Sequence, residues 1–142
     1  MKNRMQLDIE SKPENIALCR LAVASFASLV DLTISDLEEL KVVVSELVSN
    51  AIIHGYKNGP GIIKIKAAYC EEKFFLEIID DGCGIADVVQ AKEPSFTTAE
   101  GRMGLGLSFV ESFMDQVDIE SFPGRGTAVK MIKYLRANTD DR

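Results

Sequence analysis

The sequence predicts an α+β two-layer sandwich, in which a mixed, largely antiparallel sheet is covered on one face by helices. Two runs with strand character, 62–70 and 73–80, are joined by a tight turn and therefore form an antiparallel hairpin. A second pair of strands, 117–122 and 127–135, is linked by the glycine-rich turn at 123–126. Helical segments precede each pair, and this order favours a helical layer on a sheet over a doubly wound parallel fold.

The N-terminal elements are predicted from alternation and capping signals. Residues 5–10 alternate as a short strand, and Lys12-Pro13-Glu14 opens a helix that extends to about Val30. A capping box, Ser35-Asp36-Leu37-Glu38, precedes a second helix that ends at about His54. Glycines stop this second helix before the first hairpin begins.

The C-terminal half completes one compact unit. A short helix is predicted near 86–91, followed by a loop over 92–103 and a helix over roughly 105–115. No repeat, linker or low-complexity stretch divides the chain, and an apolar fraction of 46% in 142 residues is enough for one core. We therefore expect a single domain over residues 1–136 and a polar C-terminal tail at 137–142.

Charge and cysteine content exclude several functional classes. The formal net charge of -6 argues against binding to nucleic acid or to an anionic membrane, because both need clustered Lys and Arg. Three cysteines without metal-like spacing predict reduced thiols, not a disulfide framework or a zinc site. The N-terminus has no apolar signal region, and no apolar run approaches the roughly 20 residues that span a bilayer. We therefore expect a cytoplasmic protein.

Three polar residues follow one side of the second predicted helix. Glu46, Asn50 and His54 recur at every fourth position, which places them along one helix face. Apolar residues fill the core side and also flank this polar row, so the helix is predicted to be buried on most sides. The core side carries Leu40, Val44, Leu47, Val48 and Ala51, and the row is flanked by Val42, Val43 and Ile53.

The polar row needs polar partners, because an unpaired buried amide or charge costs about several kcal/mol. One possibility is an internal hydrogen-bond network within the protein. The other is Mg²⁺ with phosphates, since Mg²⁺ prefers oxygen ligands, often takes only one or two from protein and keeps several waters. The side-chain oxygen of Asn50 is a suitable ligand of this kind.

A strand-end aspartate faces the same region. Strand alternation places Asp80 in phase with Leu76 and Ile78 on the core face, whereas Asp81 points to the other side. A buried carboxylate needs donors, and an adenine amino group is one such donor. Gly82 and Gly84 would let the backbone approach a planar base without a Cβ in the way. The alternative is that this segment is only a turn.

A second glycine segment, Gly101-Arg102-Met103-Gly104-Leu105-Gly106, precedes the last predicted helix, whose first N–H groups would point toward an anion. No Gly-Lys-Ser/Thr follows, so it is not a P-loop, and no parallel βαβ unit surrounds it. Arg102 adds charge to a terminal phosphate or is a surface arginine. The loop before it, which contains Thr98, has the length of a lid or is disordered without function.

Thr127 is the last candidate polar group. It follows Gly126 and is in phase with Val129 and Met131 on the core face of the last strand. Its hydroxyl is therefore expected to point inward, where it joins a base-binding network or bonds to backbone.

The order of these motifs resembles the ATP-binding fold shared by DNA gyrase, the 90-kDa heat-shock chaperone, sensor histidine kinases and mismatch-repair ATPases, the GHKL superfamily. The motifs are Glu46-xxx-Asn50-xxx-His54-Gly55, Asp80-x-Gly82-x-Gly84, Gly104-x-Gly106 and Gly126-Thr127. The segments AVASF, VVSELVSNAIIHGY, FTT and ESFMD are further similar to the bacterial anti-sigma factor serine-protein kinases, especially those of sporulation. This resemblance covers essentially the whole chain.

The resemblance implies a role for each residue in a Mg²⁺-ATP site. Glu46 would be the general base or orienting carboxylate, Asn50 the Mg²⁺ ligand and Asp80 the adenine contact, while His54 supports the row. The implied nucleotide-binding set is Asn50, His54, Asp80, Gly82, Gly84, Thr98, Arg102, Gly104, Gly106 and Thr127. Positioning and charge neutralisation dominate phosphoryl transfer, so this sparse set is chemically sufficient.

The implied activity is transfer of the ATP γ-phosphate to a serine of an anti-anti-sigma protein, together with binding of a sigma factor. The resemblance also implies a homodimer, and Arg20 on the first helix is a candidate partner contact. The segment between Thr98 and Gly104 is shorter than in this family, and Gly-Leu-Gly-Leu-Ser is similar to histidine kinases.

Three other functions stay open at this point. A sensor-kinase catalytic domain is disfavoured, because we expect no phosphoacceptor helix or membrane sensor before residue 1. A non-catalytic module would use nucleotide only to tune the affinity for a partner. A nucleotide-free scaffold would use the first helix alone.

Overall fold

The computed structural model describes residues 1–84 and 103–136. The elements are β1 (Asn3–Glu10), α1 (Ile16–Ala27), α2 (Ile34–Asn50), β2 (Ile62–Tyr69), β3 (Lys73–Asp80), α3 (Met103–Phe113), β4 (Gln116–Phe122) and β5 (Gly126–Tyr134). A short 3₁₀ turn, Pro13–Asn15, leads into α1, and a π-helical turn, Ala51–Gly55, extends α2. The predicted short helix near 86–91, the loop before Met103 and the tail at 137–142 lie outside the described residues.

The five described strands form one sheet in the order β1-β2-β3-β5-β4. All four pairings are antiparallel. The prediction was a mixed, largely antiparallel sheet, and the described strands form antiparallel pairs throughout. The register places Asp80 between Ile63 of β2 and Thr127 of β5. The α+β prediction is therefore confirmed, and the end of β3 lies centrally in the sheet.

The core lies between one face of the sheet and the helices. Strand alternation buries Phe74, Leu76 and Ile78 completely or nearly so, as predicted, and places their neighbours on the outer face. The helical layer contributes Leu40, Val44, Leu47 and Val48 from α2, all of which are buried. Full burial of such a side chain contributes about 1.5–3 kcal/mol, so the core shared by α2 and β3 fixes where the polar residues of both elements lie.

The capping box of α2 was placed on the wrong residues. Thr33 is the N-cap: its hydroxyl accepts a hydrogen bond from the Asp36 amide at 2.9 Å, and the Asp36 carboxylate accepts one from the Thr33 amide at 3.0 Å. Asp36 is the third residue of the helix, the position that Glu or Gln usually occupies in a capping box. Its carboxylate also forms an ion pair with Arg136 at 2.9 Å. The Arg136 guanidinium and the Thr33 bonds outweigh the effect of burial and lower the pKa of Asp36.

Two helix boundaries also differ from prediction. The first helix ends at Ala27, not at Val30, because Leu29 and Val30 donate to carbonyls only three residues earlier. The last helix begins at Met103, so Gly104 and Gly106 lie in its first turn and not in a preceding loop. Within the two described ranges, no helix is long and apolar enough to cross a membrane.

Candidate functional site

A cavity lies between the C-terminal end of α2, the ends of β3 and β5, and the first turns of α3. The space among its lining atoms, open solvent at the mouth included, is about 400 Å³, of which about 30 Å³ is accessible to the centre of a water-sized molecule. Its polar lining comes from Asn50, His54, Asp80 and Thr127, and its apolar lining includes Leu47, Ile78, Leu107 and Val129. A mostly apolar cleft with a few convergent polar groups is typical of sites for small organic ligands.

The π-helical turn at the end of α2 places two residues of this lining. The Tyr56 amide donates to the Ala51 carbonyl at 2.8 Å, which widens the last turn. His54 lies within this turn and is buried. Gly55 then lies against Asp80, since a Cβ there would be only 2.8 Å from Asp80 Oδ1. Such π-turns inside helices occur frequently at functional sites.

Asn50 is the most unusual polar group of the cavity. Its side chain is only 7% exposed, and neither its Oδ1 nor its Nδ2 has a hydrogen-bond partner among the described residues. A buried amide without a partner costs about 1–3 kcal/mol. The internal-network explanation of the polar row therefore fails for Asn50 within the described chain.

Glu46 differs from the rest of the polar row. It is half-buried, and the neighbouring Val42 is 44% exposed, so the prediction that the whole row is buried is wrong at its N-terminal end. The row enters the core only in its last two turns, where Asn50 and His54 line the cavity. Glu46 thus lies at the outer end, or rim, of the row, one turn before Asn50 on the same helix face, and is not among the residues that line the cavity.

Asp80 points into the cavity, as the strand phasing predicts, and Asp81 is exposed. The amide of Gly82 donates to Asp80 Oδ1 at 2.8 Å. Burial is the main cause that raises the pKa of Asp80 to about 6, and the nearby charge of Asp81 adds to it. The backbone hydrogen bonds from Gly82 and Thr127 act in the opposite direction.

The two glycines after Asp80 make room for protein backbone. A Cβ on Gly82 would lie 2.1 Å from the Gly55 carbonyl oxygen, and one on Gly84 would lie 2.2 Å from the carbonyl oxygen of Phe122. Gly84 also has a φ of +79°, which other residues rarely adopt. Of the two, Gly84 lines the cavity. The close approach that glycine permits is therefore between the turn, the end of α2 and the β4–β5 hairpin.

Thr127 lines the cavity from β5, as predicted, but its hydroxyl has a partner that the sequence did not suggest. It lies 2.8 Å from the hydroxyl of Ser121, the residue opposite it on β4. Gly104 and Gly106 lie at the start of α3, whose Leu107 reaches the cavity. Thr98 and Arg102 lie outside the described residues.

Two residues that contribute to this site were not predicted. The Tyr56 hydroxyl bonds to both Ile62 and Asp81, and the Cys83 thiol donates to the His54 carbonyl at 2.9 Å. The sequence carries no local signal for either, because the contacts join different elements, with partners 6, 25 and 29 positions apart. Among the described residues, no cluster of three or more His, Cys, Asp and Glu side chains is arranged to hold a metal.

Comparison with known proteins assigns this architecture to a family. Residues 9–133 match the model of the histidine kinase-like ATPase domain. Over 135 residues the chain is 46% identical to the anti-sigma F factor of Thermoanaerobacter sp. strain X514, covering 94% of each protein. It is 45% identical to that of Caldanaerobacter subterraneus subsp. tengcongensis and 41% identical to that of Geobacillus kaustophilus, again over nearly the full length.

A solved structure shows the same fold. The structure of the RsbU and RsbW domains of a Mycobacterium tuberculosis protein superposes with a TM-score of 0.69 at 19% sequence identity. The match covers 94% of this chain and 32% of that one. The superposition shows the fold, and the family model with the full-length relatives confirms the resemblance stated from the sequence: the chain belongs to the histidine kinase-like ATPase domain family and, within it, to the anti-sigma F factors.

Proposed function

We propose that this chain is an anti-sigma factor and an ATP-dependent serine kinase, which binds a sigma factor and phosphorylates a serine of its anti-anti-sigma partner. The observation that carries the proposal is Asn50, a buried amide without a partner that faces a cavity closed on the other side by Asp80. The relatives named anti-sigma F factor support the regulatory part of the proposal.

The residues of the cavity fit Mg²⁺-ATP. Asn50 offers a hard amide oxygen with no competing protein donor in the described chain, as a Mg²⁺ ligand requires. A Mg²⁺ ion held there with ATP would neutralise charge on the phosphates during transfer. His54, buried one turn further along, supports the helix face that presents Asn50.

The adenine end of the site falls to Asp80. The Asp80 carboxylate accepts the backbone amides of Gly82, at Oδ1, and of Thr127, and its remaining lone pairs can accept the amino group of a base. Gly84 and Thr127 line the cavity beside it, and Ile78 and Val129 provide the apolar surface on which a planar ring can lie. At the opposite end, the N-terminal turn of α3 with Gly104 and Gly106 would bind phosphate. We assign Gly82, Thr98 and Arg102 to the same nucleotide-binding set.

Glu46 is positioned to act on the acceptor. A protein serine must reach the γ-phosphate from outside, and we propose that it does so beside the partly exposed Glu46, one helical turn before Asn50. In this role Glu46 accepts the hydroxyl proton or orients the hydroxyl for attack. Its placement separates it from the enclosed groups that bind nucleotide.

The exposed face of α1 is our candidate for the protein partners. Leu18 and Leu21 are 51% and 62% exposed, and Arg20 between them donates a hydrogen bond to the Ser45 hydroxyl, at 3.4 Å. An arginine flanked by exposed leucines is the kind of surface that anchors protein interfaces. A pull-down of either partner that Arg20→Glu leaves unchanged would contradict this assignment.

We also propose a homodimer formed through the outer face of the sheet. Ala68, Phe75 and Ile132 lie side by side across three strands, half-buried on the face opposite to the helices. Charges of both signs surround them, including Lys66 and Glu77, so the face is self-complementary as a twofold interface requires. Light scattering is expected to give a dimer for the wild type and a monomer for Phe75→Glu.

Incubation with labelled ATP and candidate partners from the same organism tests the proposal. We expect Mg²⁺-dependent labelling of one partner, in an acid-stable form as phosphoserine requires. Acid-labile label would favour the histidine-kinase-like alternative, and ATP binding without transfer would favour a non-catalytic module. The absence of a binding heat in isothermal titration and of a shift in the unfolding temperature at millimolar nucleotide would refute the ATP site. We propose further that residues 1–136 form a single kinase domain and that the protein acts in the cytoplasm.

A further inference from the structure

The Tyr56 hydroxyl joins three segments, two of which, the end of α2 and the end of β3, line the cavity. It donates to the Ile62 carbonyl at the start of β2, at 2.6 Å, and it accepts the Asp81 amide at the end of β3, at 2.7 Å. Tyr56 itself follows Gly55 directly, at the end of the helix that carries the polar row. One side chain thus connects that helix end to two neighbouring strands.

The direction of these two hydrogen bonds is fixed. A phenol has one proton, and the Ile62 carbonyl can only accept, so that proton lies toward Ile62 and the Asp81 amide meets an oxygen lone pair. Burial is the first cause that raises the pKa of Tyr56, and the neighbouring charges of Asp80 and Asp81 raise it further. The hydroxyl therefore keeps its proton at neutral pH, and the Asp81 amide has one defined orientation.

This bond completes a set that holds the turn after Asp80. The amides of Asp81, Gly82 and Cys83 donate in succession to Tyr56 Oη, Asp80 Oδ1 and the Gly55 carbonyl, at 2.7, 2.8 and 2.8 Å. Two of these three acceptors belong to the segment that ends α2. The peptide on the C-terminal side of Asp80 is therefore oriented by Tyr56.

We propose that Tyr56 is a positioning residue for recognition of the 6-amino group of adenine. The inference rests on the proposed function, in which the Asp80 carboxylate accepts that amino group. By fixing the Asp81 peptide, the Tyr56 hydroxyl holds the Asp80 carboxylate at one angle to the cavity. Although this hydrogen bond is made within the protein, its loss should weaken the binding of those ligands that carry a donor at this position of the base.

Gly61 provides a second route to the same effect. The Tyr56 ring lies so close to Gly61 that a Cβ there would be 2.4 Å from its Cε1 and 2.6 Å from its Cζ. An added methyl group must therefore displace the ring while the hydroxyl is kept. Gly61→Ala and Tyr56→Phe disturb the same contact by different means.

The test compares two nucleotides in the full chain with Mg²⁺: ATP, and purine riboside triphosphate, which has hydrogen in place of the 6-amino group. Loss of a neutral hydrogen bond corresponds to about a three- to tenfold change in an equilibrium constant. By isothermal titration, Tyr56→Phe is expected to weaken ATP by this factor and the analogue by less than about twofold. Gly61→Ala is expected to give the same selective loss.

Tyr69→Phe is the matched control. It also removes a phenolic hydroxyl, which accepts from Asn3 at 3.3 Å on the edge strand, away from the cavity. We expect it to change neither nucleotide affinity. Equal losses for both nucleotides in Tyr56→Phe would identify a merely structural role and overturn the inference, as would unchanged ATP affinity in both cavity variants.

The wild type separates this inference from the function on which it rests. A wild-type chain that binds neither nucleotide overturns the ATP site, and the inference with it. A wild type that prefers ATP to the analogue, with that preference intact in Tyr56→Phe and Gly61→Ala, leaves the ATP site standing and overturns the role of Tyr56 alone.

Discussion

The two walls of the cavity differ in how completely their polar groups are hydrogen-bonded. The strand wall, the turn from Asp80 to Gly84, has its amides bonded to Tyr56, to its own carboxylate and to Gly55, and the Cys83 carbonyl accepts the Gly124 amide at 2.7 Å. The helix wall, the row of Glu46, Asn50 and His54, carries a buried amide with no partner in the described chain.

This difference separates what folding fixes from what a ligand must complete. The strand wall is rigid because every backbone group named above is bonded, so it presents the Asp80 carboxylate before any ligand arrives. The helix wall keeps the Asn50 amide without a partner in the described chain, at the expense of stability, as functional sites often do. Substitutions in the helix wall should therefore affect ligands more than folding, and those in the strand wall should affect folding as well.

The largest effect is expected at the rim of the helix wall. Glu46→Gln keeps the shape of the side chain but cannot take a proton, and general-base assistance contributes about 10²–10⁴-fold. We expect phosphorylation of the partner serine to fall by this factor while ATP affinity stays within about twofold. Labelled-phosphate transfer and isothermal titration measure the two quantities separately.

Glu39→Gln is the control for this substitution. It makes the same change on an exposed position of the same helix, and it should leave both quantities unchanged. Phosphate transfer at the wild-type rate in Glu46→Gln would count against any role of this carboxylate in the chemical step.

Asn50 should show the second largest effect, and in binding only. A metal contact is worth several kcal/mol, which corresponds to about a hundredfold or more in affinity. Asn50→Ala is therefore expected to abolish Mg²⁺-dependent ATP binding. Because the substitution also removes an unpaired buried amide, the free energy of unfolding without ligand should change by less than about 1 kcal/mol.

Titration with ATP in the presence and absence of Mg²⁺, together with urea unfolding, checks both statements. Asn3→Ala on the exposed edge strand is the control. Equal ATP affinity with and without metal in wild type and Asn50→Ala would refute the ligand assignment. A strongly destabilised Asn50→Ala would show that the amide has a structural partner.

The sequence predicted most of the strand wall because strands have a simple period. Alternation along β3 placed Asp80 inward and Asp81 outward, and the hairpins followed from tight turns. It failed at helix ends, where the outcome depends on single hydrogen bonds. Thr33 and Asp36 form the capping box in place of Ser35 and Glu38, a choice that depends on which hydroxyl reaches the third amide.

The site was predicted only where one element carries the signal. The spacing of Glu46, Asn50 and His54 identified the helix wall, but not that Glu46 stays at the rim, since burial depends on how far the sheet extends beneath the helix. Tyr56 escaped notice because its partners, Ile62 and Asp81, come from two other elements. Contacts of this kind leave no pattern in a single sequence.

The strand wall should respond mainly in stability. Gly82→Ala brings a Cβ to 2.1 Å from the Gly55 carbonyl oxygen, a backbone atom that cannot turn away, so we expect a loss of about 2–3 kcal/mol in the free energy of unfolding. Gly124→Ala is the comparison, since its Cβ meets nothing within 4 Å and only its φ of +79° is unfavourable. Its expected loss is about 1 kcal/mol. Equal urea midpoints for the two variants would contradict the close approach of the walls.

The smallest effect is a pH dependence that arises at the strand wall. Because the folded-state pKa of Asp80 is raised to about 6, the carboxyl is mostly protonated at pH 5 and mostly ionised at pH 7. Only the ionised carboxylate has both oxygens available as acceptors for the adenine amino group. ATP affinity should therefore fall by about tenfold from pH 7 to pH 5.

Stability without ligand should follow the opposite sign. A raised folded-state pKa means that the folded state binds more protons than the unfolded state between pH 3.8 and about 6, so the contribution of Asp80 to stability is lost as the pH rises through this range. Asp80→Asn removes both dependences, and its difference from wild type cancels the titration of Asp36, whose lowered pKa acts in the reverse direction. Titrations and urea unfolding between pH 4 and pH 7 on both proteins measure the two slopes. If ATP affinity has the same pH dependence in wild type and Asp80→Asn, the carboxylate of the strand wall is not the group that meets the base.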